Sequence, residues 1–187
     1  MKNLQPHFSR RQRGFSLPEL MVALAIIAIL AGMVVFASNN DKSKATSLYA
    51  KLTQYADAMQ RLTLDVSCYP VHTGVLISTA TAANSQCGLD LTPRWRGPYA
   101  KADGVDANDD ILLPEVSPTA VLTIGLGNNI NGNGMTQQWY LQVTNVKDEV
   151  ANELLEMCNH GQTTGNCVVT AGGTGTSTVQ YIFDQRP

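Results

Sequence analysis

The sequence predicts an α+β fold in which a long amino-terminal helix packs on an antiparallel β-sheet. Three observations predict it: an uncharged run of 18 residues at 20–37, an apolar stripe at helical spacing from Ala45 to Val66, and strand-like segments after residue 119. The chain has 187 residues, of which 44% are hydrophobic. That length and composition suit one globular domain with a terminal extension.

Basic residues are concentrated ahead of the apolar run. Four of the 13 lysines and arginines precede Gly14, whereas none of the 15 acidic residues does. Without residues 1–14 the chain keeps nine basic and 15 acidic residues, a net charge of −6. The remaining basic residues are scattered, so the sequence offers no basic patch for binding nucleic acid.

The apolar run is long enough to cross a membrane. Residues 20–37, with their apolar flank at 15–17, approach the roughly 20 residues that span a bilayer core as a helix. The alternative is a secretory signal that is cleaved after Ala37. That alternative is disfavoured because the run exceeds the usual ~7–15 residues of a signal and helical periodicity continues beyond it. We therefore expect residues 15–37 to lie in a membrane.

Glu19 is a carboxylate at the start of this run. Burying it in a bilayer costs about 2.5–3.5 kcal/mol, so such residues usually have a positive partner at the same depth. If the chain is cut after Gly14, the new α-amino group of Phe15 supplies that charge. The geometry is awkward within one helix but favourable between identical helices displaced by about one turn. Glu19 is therefore predicted to act in assembly.

These residues carry a family resemblance. The sequence RGFSLPEL at 13–20, followed by MVALAIIAILA at 21–31, resembles the prepilin leader and amino-terminal helix of type IV pilins and type II secretion pseudopilins. The resemblance implies that a prepilin peptidase cuts after Gly14 and methylates the Phe15 amine. It also implies that Glu19 neutralises a neighbouring subunit's terminus during filament growth. Pro18 departs from the aliphatic residue that is commoner at that position.

The resemblance implies a pilin-like fold and a non-enzymatic role as a type IV pilus subunit, for adhesion, motility or DNA uptake. The implied partners are identical or related pilin subunits, the peptidase, and an inner-membrane assembly platform with a separate ATPase. The implied location is the bacterial inner membrane and then an extracellular filament. The segments YPVHTGVL at 69–76 and WRGPY at 95–99 resemble pseudopilins as well as pilins. The alternatives are thus a type II secretion pseudopilin or a membrane-anchored binding or enzymatic domain.

The chain is predicted to divide into a cleaved leader at 1–14, a helix at 15–66 and a globular head at 67–187. Within the helix, residues 15–37 form the membrane or filament-core half and the rest is amphipathic. Separate membrane and soluble helices joined by a loop are the alternative, because Asn39-Asn40-Asp41 is a poor helix interior. The head is expected to begin with a proline-rich loop at 67–118.

The region 119–187 is expected to hold the sheet and a disulfide-bounded loop. Strand-like segments lie at 120–126, 138–146 and 179–183, with a shorter one at 168–170. Asn131-Gly132 and Asn133-Gly134 favour a turn between the first two. Helical spacing at 147–157 predicts a short helix.

The chain has four cysteines, Cys68, Cys87, Cys158 and Cys167, all beyond the apolar run. An even number on the exported side favours two disulfides among three possible connectivities. The pairs Cys68–Cys87 and Cys158–Cys167 are favoured because each closes a short loop. A zinc site at Cys158, His160 and Cys167 is the disfavoured alternative.

One acidic loop is a candidate metal site. Asp103, Asp106, Asp109 and Asp110 offer hard oxygen ligands of the kind that calcium accepts, although their spacing lacks EF-hand order. A solvated acidic loop is the favoured interpretation, so no cofactor is predicted and calcium remains a weak candidate.

Overall fold

The structure is a computed structural model that describes residues 17–79, 85–162 and 164–187, without the side chains of 31–39. The chain divides into two compact units, Met1–Asn39 and Asn40–Pro187. The predicted leader at 1–14 lies outside the described residues. The boundary between the units falls inside the polar stretch at 38–44, ahead of the first buried residue of the predicted apolar stripe.

Helix α1 extends over Leu17–Val66. Its second half folds as predicted, because the apolar positions that recur every three or four residues are all at most 2% exposed: Ala45, Leu48, Leu52, Tyr55, Met59, Leu62 and Val66. This spacing places them on one face of a helix. The stripe belongs to the hydrophobic core of the second unit, together with the inner face of the sheet.

The sheet has five antiparallel strands, β1 (Ile111–Leu112), β2 (Val121–Gly127), β3 (Gln137–Lys147), β4 (Cys167–Gly173) and β5 (Thr176–Arg186). Their order across the sheet is β1-β2-β3-β5-β4. The four predicted strands are confirmed within a few residues at their ends. The predicted proline-rich loop at 67–118 contains the short strand β1, whose two residues pair with Leu122 and Val121.

Helix α2 spans Asp148–Asn159, close to the predicted 147–157. Its apolar face is fully buried at Val150, Ala151 and Leu154. The two acids of its first turn, Asp148 and Glu149, lie at the positive end of the helix dipole. The Asp148 carboxylate also accepts a hydrogen bond of 2.6 Å from the Ser177 hydroxyl, which fixes the start of α2 against β5.

Candidate functional site

The predicted assembly residues lie at the amino terminus. Gly14 and Phe15 are outside the described residues, so their predicted processing is not tested by the structure. Glu19 lies in the first turn of α1 and is exposed. A carboxylate there faces the positive end of the helix dipole, which explains why the helix tolerates it.

The first unit presents apolar side chains on every face of its helix. Residues 17–30 are all exposed, and nine of the large hydrophobic ones are more than half exposed: Leu17, Leu20, Met21, Val22, Leu24, Ile26, Ile27, Ile29 and Leu30. No helix among the described residues is both long and apolar enough to cross a membrane. The predicted span at 15–37 extends into residues and side chains that are not described, and it stays a prediction.

Two disulfides cross-link the head. Cys68 bonds to Cys87 and Cys158 bonds to Cys167, with Cα–Cα distances of 6.2 and 6.0 Å. These are the two pairs that the sequence predicted, because each closes a short loop. Since Cys158 and Cys167 are bonded to each other, neither is available as a thiolate for the zinc site considered above.

The candidate calcium loop uses the Asp106 carboxylate for hydrogen bonds within the loop. Asp106 Oδ1 accepts hydrogen bonds from the backbone N–H groups of Asn108 and Asp110, at 2.8 and 2.9 Å. Within the described residues, no group of three or more His, Cys, Asp or Glu side chains is placed to hold a metal ion. The calcium hypothesis for Asp103, Asp106, Asp109 and Asp110 therefore finds no support among the described residues, where Asp106 folds the loop and Asp110 accepts a hydrogen bond from Thr73.

Asp110 instead belongs to a buried polar node that the sequence did not reveal. Its Oδ1 accepts a 3.0 Å hydrogen bond from the Thr73 backbone N–H, and its Oδ2 lies 3.4 Å from His72 Nδ1. The fully buried Thr73 hydroxyl donates to the Leu122 carbonyl at 2.7 Å and accepts from the Ile111 N–H at 2.8 Å. The node joins the short 3-10 helix at Thr73–Leu76 to β1 and β2.

The two segments that resemble known motifs lie against each other. The Trp95 indole N–H donates to the Val75 carbonyl at 2.8 Å, and the Tyr99 N–H donates to the Leu76 carbonyl at 2.7 Å. The Tyr99 hydroxyl donates to Asp65 on α1 at 2.7 Å. These segments therefore attach the loop to the end of α1, which is a structural role.

An aromatic cluster lies between α1 and the sheet. Tyr69 packs against Trp139 and Phe183, with ring centroids 4.5 and 5.6 Å away. Its hydroxyl donates to Asp184 Oδ2 at 3.0 Å. Burial, and then this hydrogen bond, raise the pKa of Tyr69 to about 12. The phenol therefore stays neutral at physiological pH and acts as a hydrogen-bond donor.

A second polar network holds the loop between β2 and β3. Gln138 is fully buried, and its amide nitrogen donates to Asn131 and Asn133 at 2.7 and 2.9 Å. The Asn131 amide in turn donates to the Gly165 carbonyl at 2.7 Å. The network ties the β2–β3 loop to the loop closed by the Cys158–Cys167 disulfide. The Asn-Gly pairs predicted the turn, but nothing in the sequence predicted Gln138 as its centre.

Shallow clefts flank Leu64 near the carboxyl end of α1. One, of about 470 Å³, is lined by Asp57, Gln60, Arg61 and Leu64. Another, of about 280 Å³, is lined by Gln60, Thr63, Leu64, Tyr69 and Asp184. Neither lining combines a Ser or Cys nucleophile with a general base.

Comparison with known proteins identifies the amino-terminal region. Residues 9–35 match the family described as the prokaryotic N-terminal methylation motif. This is the prepilin-type leader of type IV pilins and pseudopilins, so the chain carries a prepilin-type leader. Neither the curated proteins nor the solved structures gave a match.

Proposed function

We propose that the chain is a structural, non-enzymatic subunit of a type IV pilus, processed after Gly14 and assembled through its amino-terminal helix. The methylation motif at 9–35, which supports the pilin or pseudopilin class of protein, is the observation on which the proposal rests. The two-part character of α1 agrees with it. One half exposes apolar side chains all round, and the other buries a single stripe in a folded head.

In this proposal Glu19 meets the methylated Phe15 amine of the neighbouring subunit. Each new subunit brings a positive terminus into an apolar helix bundle, where an uncompensated charge costs several kcal/mol. The Glu19 carboxylate supplies the compensating charge. Assembly then selects the register in which the two charges coincide.

Glu19→Ala tests the assembly role. The variant is expected to insert at least as well as wild type because a carboxylate is costly in lipid. Filament yield is expected to fall at least tenfold because the incoming amine lacks its counter-charge. The measurements are processed subunit in the membrane, disulfide formation in the head, and filaments sheared from the cell surface.

Glu153→Ala is the matched control, since it also removes a carboxylate but lies on α2, far along the chain from the motif. It should leave all three quantities at the wild-type level. Normal filament yield from Glu19→Ala would contradict the assembly role. Loss of all three quantities together would mean that Glu19 serves folding or insertion instead.

A type II secretion pseudopilin is the second candidate, supported by the same motif and by the segments at 69–76 and 95–99. Electron microscopy of sheared surface filaments, with mass spectrometry of their subunits, distinguishes the two. A pilus subunit is expected as a major or minor component that begins at methylated Phe15. A processed chain absent from surface filaments but required for protein secretion would favour the pseudopilin. A processed monomer that turns over a small molecule would favour a membrane-anchored enzyme.

A further inference from the structure

Two Asn-Gly pairs lie in the loop between β2 and β3, at Asn131-Gly132 and Asn133-Gly134. Such pairs are chemically reactive, because glycine has no Cβ to keep its backbone nitrogen away from the asparagine carboxamide. Attack of that nitrogen on the asparagine Cγ closes a succinimide ring and expels ammonia. The fold decides which of the two carboxamides lies beside the nitrogen that follows it.

The Asn133 carboxamide is folded back over its own backbone. Its Oδ1 accepts a hydrogen bond of 3.0 Å from the N–H of Met135, two residues later. A side chain that reaches this N–H lies beside the intervening residue, which here carries the Gly134 nitrogen. The Gly134 N–H donates to Asn129 Oδ1 at 2.6 Å, so the proton that this nitrogen has to lose already points at an acceptor. The reacting nitrogen and Cγ therefore lie on the same side of the loop.

The Asn133 Oδ1 atom has a second hydrogen-bond donor. The Nε2 atom of Gln138, a fully buried side chain, donates to it at 2.9 Å. Negative charge builds up on Oδ1 when the nitrogen attacks Cγ, and fixed donors aimed at such an oxygen stabilise the transition state. Asn133 and Gly134 are both exposed, so water has access to the ring that the attack forms.

Asn131 is also followed by glycine, but its carboxamide is held away from its own backbone. Its Nδ2 donates to the Gly165 carbonyl at 2.7 Å, and its Oδ1 accepts from Gln138 Nε2 at 2.7 Å. Both partners belong to other segments of the chain. Among the described residues, no backbone N–H of the β2–β3 loop donates to Asn131 Oδ1. The fold thus distinguishes two pairs that the sequence makes equivalent.

We propose that Asn133 is a site of spontaneous deamidation in the folded chain and that Asn131 is protected from it. The Gly134 nitrogen forms a bond to Asn133 Cγ, the Cγ–Nδ2 bond breaks, and Nδ2 leaves as ammonia with the proton from Gly134. A water molecule then opens the succinimide at either carbonyl, which gives aspartate or isoaspartate. This goes beyond the proposed function, because it is a covalent change in the head and does not involve the amino-terminal helix.

The loop accommodates the aspartate product at position 133. A carboxylate there still accepts from the Met135 N–H and from Gln138, and such hydrogen bonds strengthen when the acceptor is charged. The Asn133 Nδ2 donates to Gln185 Oε1 at 2.6 Å, and this donor is lost. The Gln185 amide can turn over to present its nitrogen to the new oxygen, since its other bonds, to Gln138 and Asn166, are long at 3.4 Å.

A carboxylate at position 131 has no such accommodation. Its new oxygen faces the Gly165 carbonyl, a backbone group that cannot turn over, and both atoms are acceptors. Conversion of Asn131 would therefore break the link to the loop that the Cys158–Cys167 disulfide closes.

Incubation of the folded full-length chain in detergent tests the proposal. Conversion of each asparagine is followed by tandem mass spectrometry, with digestion in heavy-oxygen water so that deamidation during digestion is labelled and subtracted. Asn133 is expected to convert at least tenfold faster than Asn131, because only its carboxamide is positioned for attack. The two rates are expected to converge when the chain is reduced and unfolded in urea.

Gly134→Ala and Gly132→Ala are matched variants. Both glycines have positive φ, 83° and 75°, and an added Cβ meets nothing within 4 Å at either, so the two substitutions strain the loop alike. Gly134→Ala places a methyl group on the attacking residue and is expected to slow conversion of Asn133 at least tenfold. Gly132→Ala should leave that rate near the wild-type value.

Two further variants imitate the products. Asn133→Asp should unfold thermally close to the wild-type temperature, and Asn131→Asp at a lower one. The proposal is overturned if both asparagines convert at the same rate in the folded chain, if neither converts, or if Gly132→Ala slows Asn133 as much as Gly134→Ala does. A lower unfolding temperature for Asn133→Asp than for Asn131→Asp would contradict the accommodation of the product. None of these measurements depends on filaments, so failure here is distinguishable from failure of the filament role.

Discussion

The two halves of α1 belong to one helix but differ in which side chains are exposed. Between Leu17 and residue 30 every described side chain is exposed, whatever face it occupies. Between Ala45 and Val66 the exposure follows the helical repeat, with the stripe buried and residues such as Leu64 almost fully exposed. In the first half the described side chains, those of 17–30, are not buried, whereas the buried stripe of the second half is part of the hydrophobic core. We therefore expect substitutions in the buried stripe to lower the free energy of unfolding of the head, and substitutions in the first half to leave it nearly unchanged.

The largest effect on folding is expected from the buried stripe. Leu62→Ala removes a fully buried side chain and should lower the free energy of unfolding by about 2–5 kcal/mol. Leu64→Ala makes the same chemical change two residues later, where the side chain is 84% exposed, and should change it by less than about 0.5 kcal/mol. Denaturant unfolding of the full chain in detergent, followed by near-UV circular dichroism, measures both.

Equal losses from the two alanine variants would mean that the stripe does not form the core. A large loss from Leu64→Ala alone would show that Leu64 is covered, for instance by another copy. Repeating the measurement at two protein concentrations separates these outcomes, because a loss that depends on association changes with concentration.

A smaller loss is expected at the polar node that holds the 67–118 region to the sheet. Thr73→Val keeps the shape of the side chain but leaves the Ile111 N–H and the Leu122 carbonyl without their partner. Buried unsatisfied groups cost about 1–3 kcal/mol, so the loss should lie in that range. Thr164→Val, at an exposed position, is the control and should be neutral. An unchanged stability in Thr73→Val would show that water replaces the hydroxyl.

The contrast between stripe and node shows what sequence can and cannot predict. The stripe is a periodic pattern, and a helix with one buried face follows from the spacing of Ala45, Leu48 and Leu52 alone. The node depends on Thr73, Asp110 and Leu122, which are brought together only by the fold. The same holds for β1, since two residues are too few to show an alternation. β5 was predicted too short because Thr176 and Arg186, its end residues, are polar, and pairing on both sides extends it.

Alkaline pH should lower the free energy of unfolding of the head, because it contains buried tyrosines with raised pKa values. The pKa of Tyr69 is raised to about 12, first by burial and then by Asp184, whereas an unfolded tyrosine has its pKa near 10. This stability is present below pH 10 and is lost as the pH rises through about 12, because the unfolded chain gives up its proton first. Unfolding free energies measured from pH 9 to 11 should therefore fall.

Tyr69→Phe isolates the contribution of that hydroxyl. It should lower stability at pH 8 by about 1 kcal/mol, the typical net value of one hydrogen bond, and make the fall above pH 10 shallower. Some fall should remain, because burial also raises the pKa of Tyr55, Tyr99 and Tyr181. An unchanged slope in Tyr69→Phe would mean that the other tyrosines account for the pH dependence.

The smallest effect on the head is expected from the first half of α1. Leu24→Ala changes a side chain that is 58% exposed, so the unfolding of residues 40–187 should shift by less than about 0.5 kcal/mol. Both disulfides should form normally, which peptide mapping under non-reducing conditions checks. A loss of the size expected for Leu62→Ala would mean that the two halves are not independent, and the comparison would fail.

The methylation motif was more accessible to sequence reasoning than the polar contacts of the head. Glu19 stands out because charge is rare in an apolar run, and Gly14-Phe15 stands beside it in a recognised motif. For the acidic loop the sequence left calcium as a weak candidate, because spacing does not reveal that Asp106 accepts hydrogen bonds from the backbone of its own loop.

The position of β5 has a consequence for synthesis and export. Although β5 follows every other strand along the chain, it lies inside the sheet, between β3 and β4. Until it emerges, β3 has one unpaired side and β4 has no neighbouring strand at all. The head therefore cannot close progressively from its amino-terminal side as it leaves the ribosome or crosses the membrane. A chaperone that shields β3 and β4 during that interval would act at the step where the newly made chain is most prone to aggregate.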